Sequence, residues 1–440
     1  MKTSTKFFLL FLVCLFVLNN NAQNQTKVSI VSNDLGMKLK VNGADFMING
    51  MNWDYIPIGT NYSYSLWSQS DEFIKKALES EMSLLKDMGV NAIRVYTGIQ
   101  PKWITYIYKN YGIYTMLNHS FGRYGVTINE VYKPVTDYRD EATKKLLLDE
   151  VSSLAKEYKN TEGLLLYLLG NENNYGLFWA GSETEDFPDD AEMKKAMGEK
   201  RGRPMYQLFN EAALLMKKID ANHPIAMCNG DVLFIDIIAE DCKDVDIYGT
   251  NMYRGKSFGD AFQKVKDKLN KPILFTEFGV DAFNALNKEE DQKMQSFYLT
   301  ENWKEIYANA YGLGKTANSI GGFTFQFSDG WWKLGQTINL DVHNEEANWT
   351  NKGYDLDTKN NSKNMNEEWF GIAAKGFSND EGLYQLYPRA AYYVLQRVHQ
   401  INPYEKGITA KKIENKICKI NQKKALKKGL KNKMLLESKQ

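Results

Sequence analysis

The chain has 440 residues, 43% of them hydrophobic, 25% charged and 13% aromatic, a balance that excludes intrinsic disorder. Its 32 glycines and 9 prolines follow no period, which excludes collagen-like and low-complexity architectures. The net charge of +1 hides an asymmetry: residues 23–405 hold 41 basic and 52 acidic residues, whereas 406–440 hold twelve lysines against Glu414 and Glu437, and an acidic body argues against nucleic acid as a partner.

Lys2 and Lys6 precede an unbroken apolar run at 7–18. That run is shorter than the ~20 residues that span a bilayer and fits an export signal. Cleavage is expected after Ala22, which makes 1–22 a signal peptide and sends the chain to the periplasm, the cell surface or the medium. Cys14 follows Val13 rather than a small residue, so lipid attachment there is not expected. No later apolar run reaches spanning length, and no stable membrane insertion is expected. Cys228, Cys242 and Cys418 remain, an odd number whose spacing matches neither a disulfide scaffold nor a metal site. No metal or organic cofactor is implied.

Asn42-Gly43 between two short apolar stretches signals a hairpin, placed to close a barrel floor. Eight strands are then expected at 46–52, 92–96, 113–117, 164–169, 224–228, 245–251, 272–276 and 321–327. They are nearly continuous in hydrophobicity, as strands buried on both faces are. Helical spacing marks 74–88, 140–158, 206–219, 258–269 and 289–311. Strands alternating with helices predict an α/β fold, a (β/α)₈ TIM barrel spanning 23–405, with a doubly wound open sheet as the alternative. Long polar connections follow strand four (173–204) and strand eight (331–388), at the end where barrel enzymes build their sites. The Lys-rich tail 406–440 reads as a solvated segment or a loosely attached helix, with contact to an anionic surface as its other reading.

Two strand ends carry the chemistry. Leu168-Leu169-Gly170-Asn171-Glu172 ends strand four and Phe275-Thr276-Glu277-Phe278-Gly279 ends strand seven. A single Glu at a strand end is more often a helix cap or an ion-pair partner. Two of them at one barrel mouth are what glycoside hydrolysis needs. Trp53, Tyr55, Trp179, Trp331 and Trp332 lie near strand ends, where sugar faces could stack. Trp331 and Trp332 are the stronger candidates, and packing is the other reading of each. Asp54 and Asp329 could bond hydroxyls, and His119, just past strand three, could equally line the cleft or be a satisfied structural histidine.

With Asn171-Glu172 and Glu277, the chain resembles the clan A glycoside hydrolases, retaining (β/α)₈ enzymes, over about 41–332. Within the clan it resembles the catalytic domain of family 2 and, through Ile93-Arg94-Val95-Tyr96 and 246–253, the β-1,3-glucanosyltransferases of family 72. Within these 440 residues neither the flanking β-sandwiches of the former nor the cysteine-rich domain of many of the latter is expected. The resemblance implies Glu172 as acid/base, Glu277 as nucleophile, and Asn171 on the sugar 2-hydroxyl. Arg94 and Tyr253 would hold Glu277. It implies a carbohydrate substrate, a β-glucan or similar polysaccharide. Transglycosylation is a close alternative, and a non-catalytic carbohydrate-binding barrel a more distant one.

Overall fold

The computed structural model describes residues 25–177, 190–333, 335–360 and 362–439. The expected signal peptide and Trp179 lie outside the described residues. Eight parallel strands form a closed barrel: β1 (Ile48–Asn52), β2 (Ala92–Tyr96), β3 (Tyr114–His119), β4 (Leu164–Leu169), β5 (Ile225–Gly230), β6 (Ile247–Asn251), β7 (Ile273–Phe278) and β8 (Ser319–Thr324). Each matches an expected strand. Closure is direct, because Gly321 to Thr324 of β8 pair in parallel with Ile48 to Met51 of β1, and the open-sheet alternative falls. Ile48, Ala92, Met116, Leu166, Leu168, Ala226, Ile247, Leu274, Ile320 and Phe323 fill the interior. Gly50 is required there, since a Cβ would stand 2.4 Å from the Phe323 ring.

The strands Val28–Asn33, Gly36–Val41 and Ala44–Phe46 make a small antiparallel sheet. Asn42 and Gly43 form its two-residue turn with φ of 50° and 85°, the left-handed pair such turns demand. Leu39, Val41 and Val28 join the barrel's interior cluster. Met37 N donates to Ala317 O and Val28 N to Asn222 O, both just ahead of strands. The sheet therefore closes the barrel's N-terminal end, as expected from the hairpin.

The helices of the outer ring are α1 (Asp71–Met88), α2 (Pro101–Tyr111), α3 (Glu141–Tyr158), α4 (Arg203–Ile219), α5 (Ile235–Asp241), α6 (Ala261–Leu269), α7 (Gln292–Ala308) and α8 (Ala390–Val398), one after each strand, and a further short helix, Ala191–Met197, lies in the connection ahead of α4. Ser70 and Asp140 cap α1 and α3 through the N–H groups of Phe73 and Thr143. The tail behaves differently from a solvated segment. It forms α9 (Ala410–Cys418) and α10 (Gln422–Glu437), which bury Ile413, Ile417 and Ala425. Gly429 lies so close to α8 that a Cβ would sit 2.5 Å from Ala390 N, and Asn432 Nδ2 donates to Pro388 O at 2.8 Å. A few small or apolar residues at helical spacing suffice to dock a helix whose composition is otherwise lysine.

Candidate active site

β7 carries an irregularity at its mouth. Thr250 pairs with Phe275, but Asn251 pairs with Glu277, leaving Thr276 as the extra residue of a bulge. A bulge lets two successive residues escape strict alternation. Thr276 Oγ1 thus donates to Asn251 Oδ1 at 2.8 Å inside the barrel, while Glu277 faces the mouth. Arg94, on β2, is 2% exposed. Its Nη1 donates to Glu277 Oε1 at 2.6 Å. Asn118 Oδ1 on β3 accepts from Arg94 Nε at 2.8 Å and Nη2 at 2.6 Å, which fixes the guanidinium plane. Tyr253, two residues past β6, donates its hydroxyl to Glu277 Oε2 at 3.0 Å. Burial, then the charges of Glu277 and Glu172, push the Tyr253 phenol well above its ordinary pKa, so it stays a donor. Both Glu277 oxygens are therefore held.

Glu172 follows β4 on a tightly tethered turn. Gly170 has φ of 83° and Glu172 of 58°. A non-glycine residue there costs of order 1–3 kcal/mol and persists only where its surroundings fix it. They do: Glu172 N donates to Cys228 O at 3.0 Å. Asn173 Oδ1 accepts from Asn171 N at 2.7 Å, and its Nδ2 donates to Phe121 O and Tyr138 Oη, each at 2.8 Å. Asn174 exchanges two bonds with the Gly230 backbone. The Asn171 amide oxygen accepts from Arg94 Nη2 at 2.9 Å and Asn251 Nδ2 at 3.0 Å, and its nitrogen donates to Tyr124 Oη at 2.9 Å. Arg94 thus touches both strand ends that bear the carboxylates. Below them, burial first of all pushes the Cys228 thiol up to about 11, with Glu277 and Glu172 acting in the same direction. The charges of both carboxylates thus act on Tyr253 and on Cys228.

The structure assembles Arg94, Asn171, Glu172, Tyr253 and Glu277, and gives Trp53, His119 and Trp331 other partners. Side chains alternate along a strand. Asn52 and Asn118 point inward, so Trp53 and His119 point to the helix layer. Trp53 Nε1 donates to Glu81 Oε2 on α1 at 2.5 Å. His119 Nε2 lies 3.3 Å from Glu150 Oε2 on α3. Trp331 is buried and lies flat on His343 at 4.5 Å, which lies on Trp369 at 3.9 Å. It lines a lateral cavity of about 410 Å³ that includes neither Arg94 nor Glu277. Trp332 is half-buried beside the exposed Tyr62, with rings 5.8 Å apart. Asp329 is taken by Arg389 through two bonds of 2.7 Å, and Asp54 is buried near Lys375; neither is a free hydroxyl ligand. Sequence reasoning missed Asn52, Asn118 and Asn251 as site residues. Each stands at or next to the C-terminal end of a barrel strand, the same end that bears the two Glu.

A family model described as "Glycosyl hydrolases family 2, TIM barrel domain" matches residues 35–312. Among solved structures, a β-galacturonidase from Eisenbergiella tayi bound to galacturonate aligns at TM-score 0.52 and 15% identity, over 86% of this chain and 55% of that one. The β-glucuronidase of Bacteroides uniformis aligns at TM-score 0.53 and 12% identity, over 85% and 37%. That of Dictyoglomus thermophilum aligns at 0.52 and 15%, over 86% and 54%. At these identities the likeness is one of fold, and the chain spans about half the length of these structures or less. No curated protein matches the chain.

Proposed function

The chain belongs to the glycosyl hydrolases of family 2 through their TIM barrel domain, and from that premise we propose that it is a retaining β-glycosidase with Glu277 as nucleophile and Glu172 as acid/base. The observation that carries this is the double hold on Glu277: Arg94 on one oxygen, Tyr253 on the other, facing the turn that bears Glu172. A carboxylate fixed at both oxygens is oriented for attack, and orientation is a large part of what an active site contributes.

In the first step a Glu277 oxygen bonds to the anomeric carbon. The glycosidic C–O bond breaks as Glu172 gives its proton to the leaving oxygen. The sugar is left as an ester on Glu277, whose negative charge is gone, and Glu172 is now a carboxylate. In the second step Glu172 takes a proton from water, the water oxygen attacks the anomeric carbon, and Glu277 leaves. Two inversions retain the β configuration. One amide hydrogen of Asn171 goes to Tyr124; the other is assigned to the sugar 2-hydroxyl.

The substrate proposed is a β-linked polysaccharide or oligosaccharide, with β-glucan first. The β-galacturonidase and β-glucuronidases of like fold favour a second reading, a β-uronide. The apolar run behind Lys2 and Lys6 supports export to where polysaccharides are met. The test is incubation with β-glucans, mannans, xylans and aryl β-glucosides, β-glucuronides and β-galacturonides, with the first-formed anomer read by NMR and the products sized. A β anomer from a glucan is expected. An α anomer would remove the retaining mechanism, and products longer than the substrate would make the chain a transglycosylase.

A further inference from the structure

α10 has two unlike sides. One packs Ala425 and Gly429 on α8. The other leaves Leu430, Met434 and Leu435 exposed at 45%, 62% and 46%. Lys423, Lys427 and Lys431 run along that open side at four-residue spacing, beside Leu430 and Met434, themselves four apart. Three other lysines of the tail pair with carboxylates: Lys411 with Glu414, Lys416 with Glu405, Lys433 with Glu290. Among the described residues no carboxylate forms a salt bridge with Lys423, Lys424, Lys427 or Lys431.

A lysine ladder by itself suits any polyanion, or simply water. Large apolar side chains held open between the lysines do not. They suit a surface that is anionic at its face and apolar just beneath, which is a phospholipid bilayer with acidic headgroups. We propose that the outer side of α10 is a peripheral docking face for an anionic phospholipid membrane. Leu430, Met434 and Leu435 enter below the headgroups, and Lys423, Lys427 and Lys431 meet the phosphates. Residues 23–405 carry 52 acidic against 41 basic residues, so the same surface repels the body and orients it outward. Gly429 sits against Ala390, the first residue of α8. Barrel helices begin at the end where strands finish, the end that bears Glu277. The packed side of α10 therefore meets the helix ring at that end of the barrel, and the docking face is turned away from α8. This inference does not depend on the glycosidase reading.

The experiment is co-sedimentation of the full chain with vesicles of phosphatidylcholine, alone or with one third phosphatidylserine. Binding is expected only with phosphatidylserine and should weaken as salt rises. Lys423→Gln, Lys427→Gln and Lys431→Gln should each lower the partition coefficient about fivefold, the equivalent of ~1 kcal/mol per lysine. The triple variant Leu430→Ser/Met434→Ser/Leu435→Ser should lose vesicle binding while keeping its affinity for heparin, a soluble polyanion. These side chains face outward, so both sets should melt as the parent does. No partition of the folded parent onto phosphatidylserine overturns the proposal. So does undiminished vesicle binding by the serine variant, which would make the face a polyanion site. Loss of self-association in that variant, without any lipid binding by the parent, would make it a contact between copies.

Discussion

In the proposed mechanism only Glu277 forms a bond to sugar, so Glu172 and Glu277 should respond differently to truncation. Glu277→Ala should abolish turnover of every substrate. Glu172→Ala should spare the first step for an activated aryl glycoside, whose leaving group needs no proton, and let the glycosyl-enzyme accumulate. Azide should then restore turnover by replacing the water that needs a base, giving a β-glycosyl azide. An α-azide, or rescue of Glu277→Ala in its place, would reverse the assignment. Arg94 is a positioning residue in the same reading. It is buried at the junction of Glu277, Asn118 and Asn171, and removing one partner of a buried ion pair costs roughly 3–5 kcal/mol. Arg94→Met should cut kcat/KM by two orders of magnitude or more and lower the melting temperature, both measured on the same preparation. Near-parental activity in a folded Arg94→Met protein would take Arg94 out of the site.

At the scale of elements, the turn after β4 aims Glu172, and Asn173 holds that turn by bonds to Asn171 N, Phe121 O and Tyr138 Oη. Leaving such buried groups unsatisfied costs about 1–3 kcal/mol each. Asn173→Ala should therefore lower stability. It should also slow substrates with poor leaving groups tenfold or more, and activated aryl glycosides much less, because only the former need the proton of Glu172. Equal slowing of both would mean that the turn serves folding alone. This turn also shows what the sequence discloses. The eight strands were legible because burial on both faces writes continuous apolar runs, and Glu172 and Glu277 because charge interrupts those runs abruptly. α2, α5 and α8 were not anticipated. α2 is rich in Tyr, Trp and Ile, α5 spans seven residues, and α8 lies beyond a long polar connection. The placement of Trp53 and His119 was illegible for another reason. The side a strand residue faces depends on register, and a shift of one position reverses it. The bulge at Thr276, which turns Glu277 to the mouth, is likewise a property of the β6–β7 pairing and has no local sequence mark.

At the scale of the whole molecule, the helix ring closes where α8 meets α1 and α7, and His399 is buried at that seam. Its Nδ1 faces Met88 O at 3.3 Å at the end of α1, and its ring meets Trp303 of α7 edge-on at 4.9 Å. Burial lowers its pKa from 6.5 to about 4, so the native state keeps it neutral where the unfolded chain would protonate it. Between pH 6.5 and about 4 unfolding takes up a proton that the fold refuses, and stability falls as pH falls; above 6.5 the group contributes no slope. The whole effect is at most about 3 kcal/mol. Glu81 acts in the opposite sense: burial raises it from 4.5 to about 7, so the native carboxyl keeps its proton while the unfolded one ionises, and stability falls as pH rises through that window. The parent's profile mixes the two, and the difference between parent and variant separates them. His399→Gln keeps a donor for the Met88 carbonyl but cannot titrate. Denaturant midpoints of parent and variant, taken from pH 7.5 to 4, should run parallel above pH 6.5. They should then converge or cross in the variant's favour toward pH 4. Parallel curves throughout would mean that His399 titrates in the fold as it does in the unfolded chain, and that the seam admits its charge.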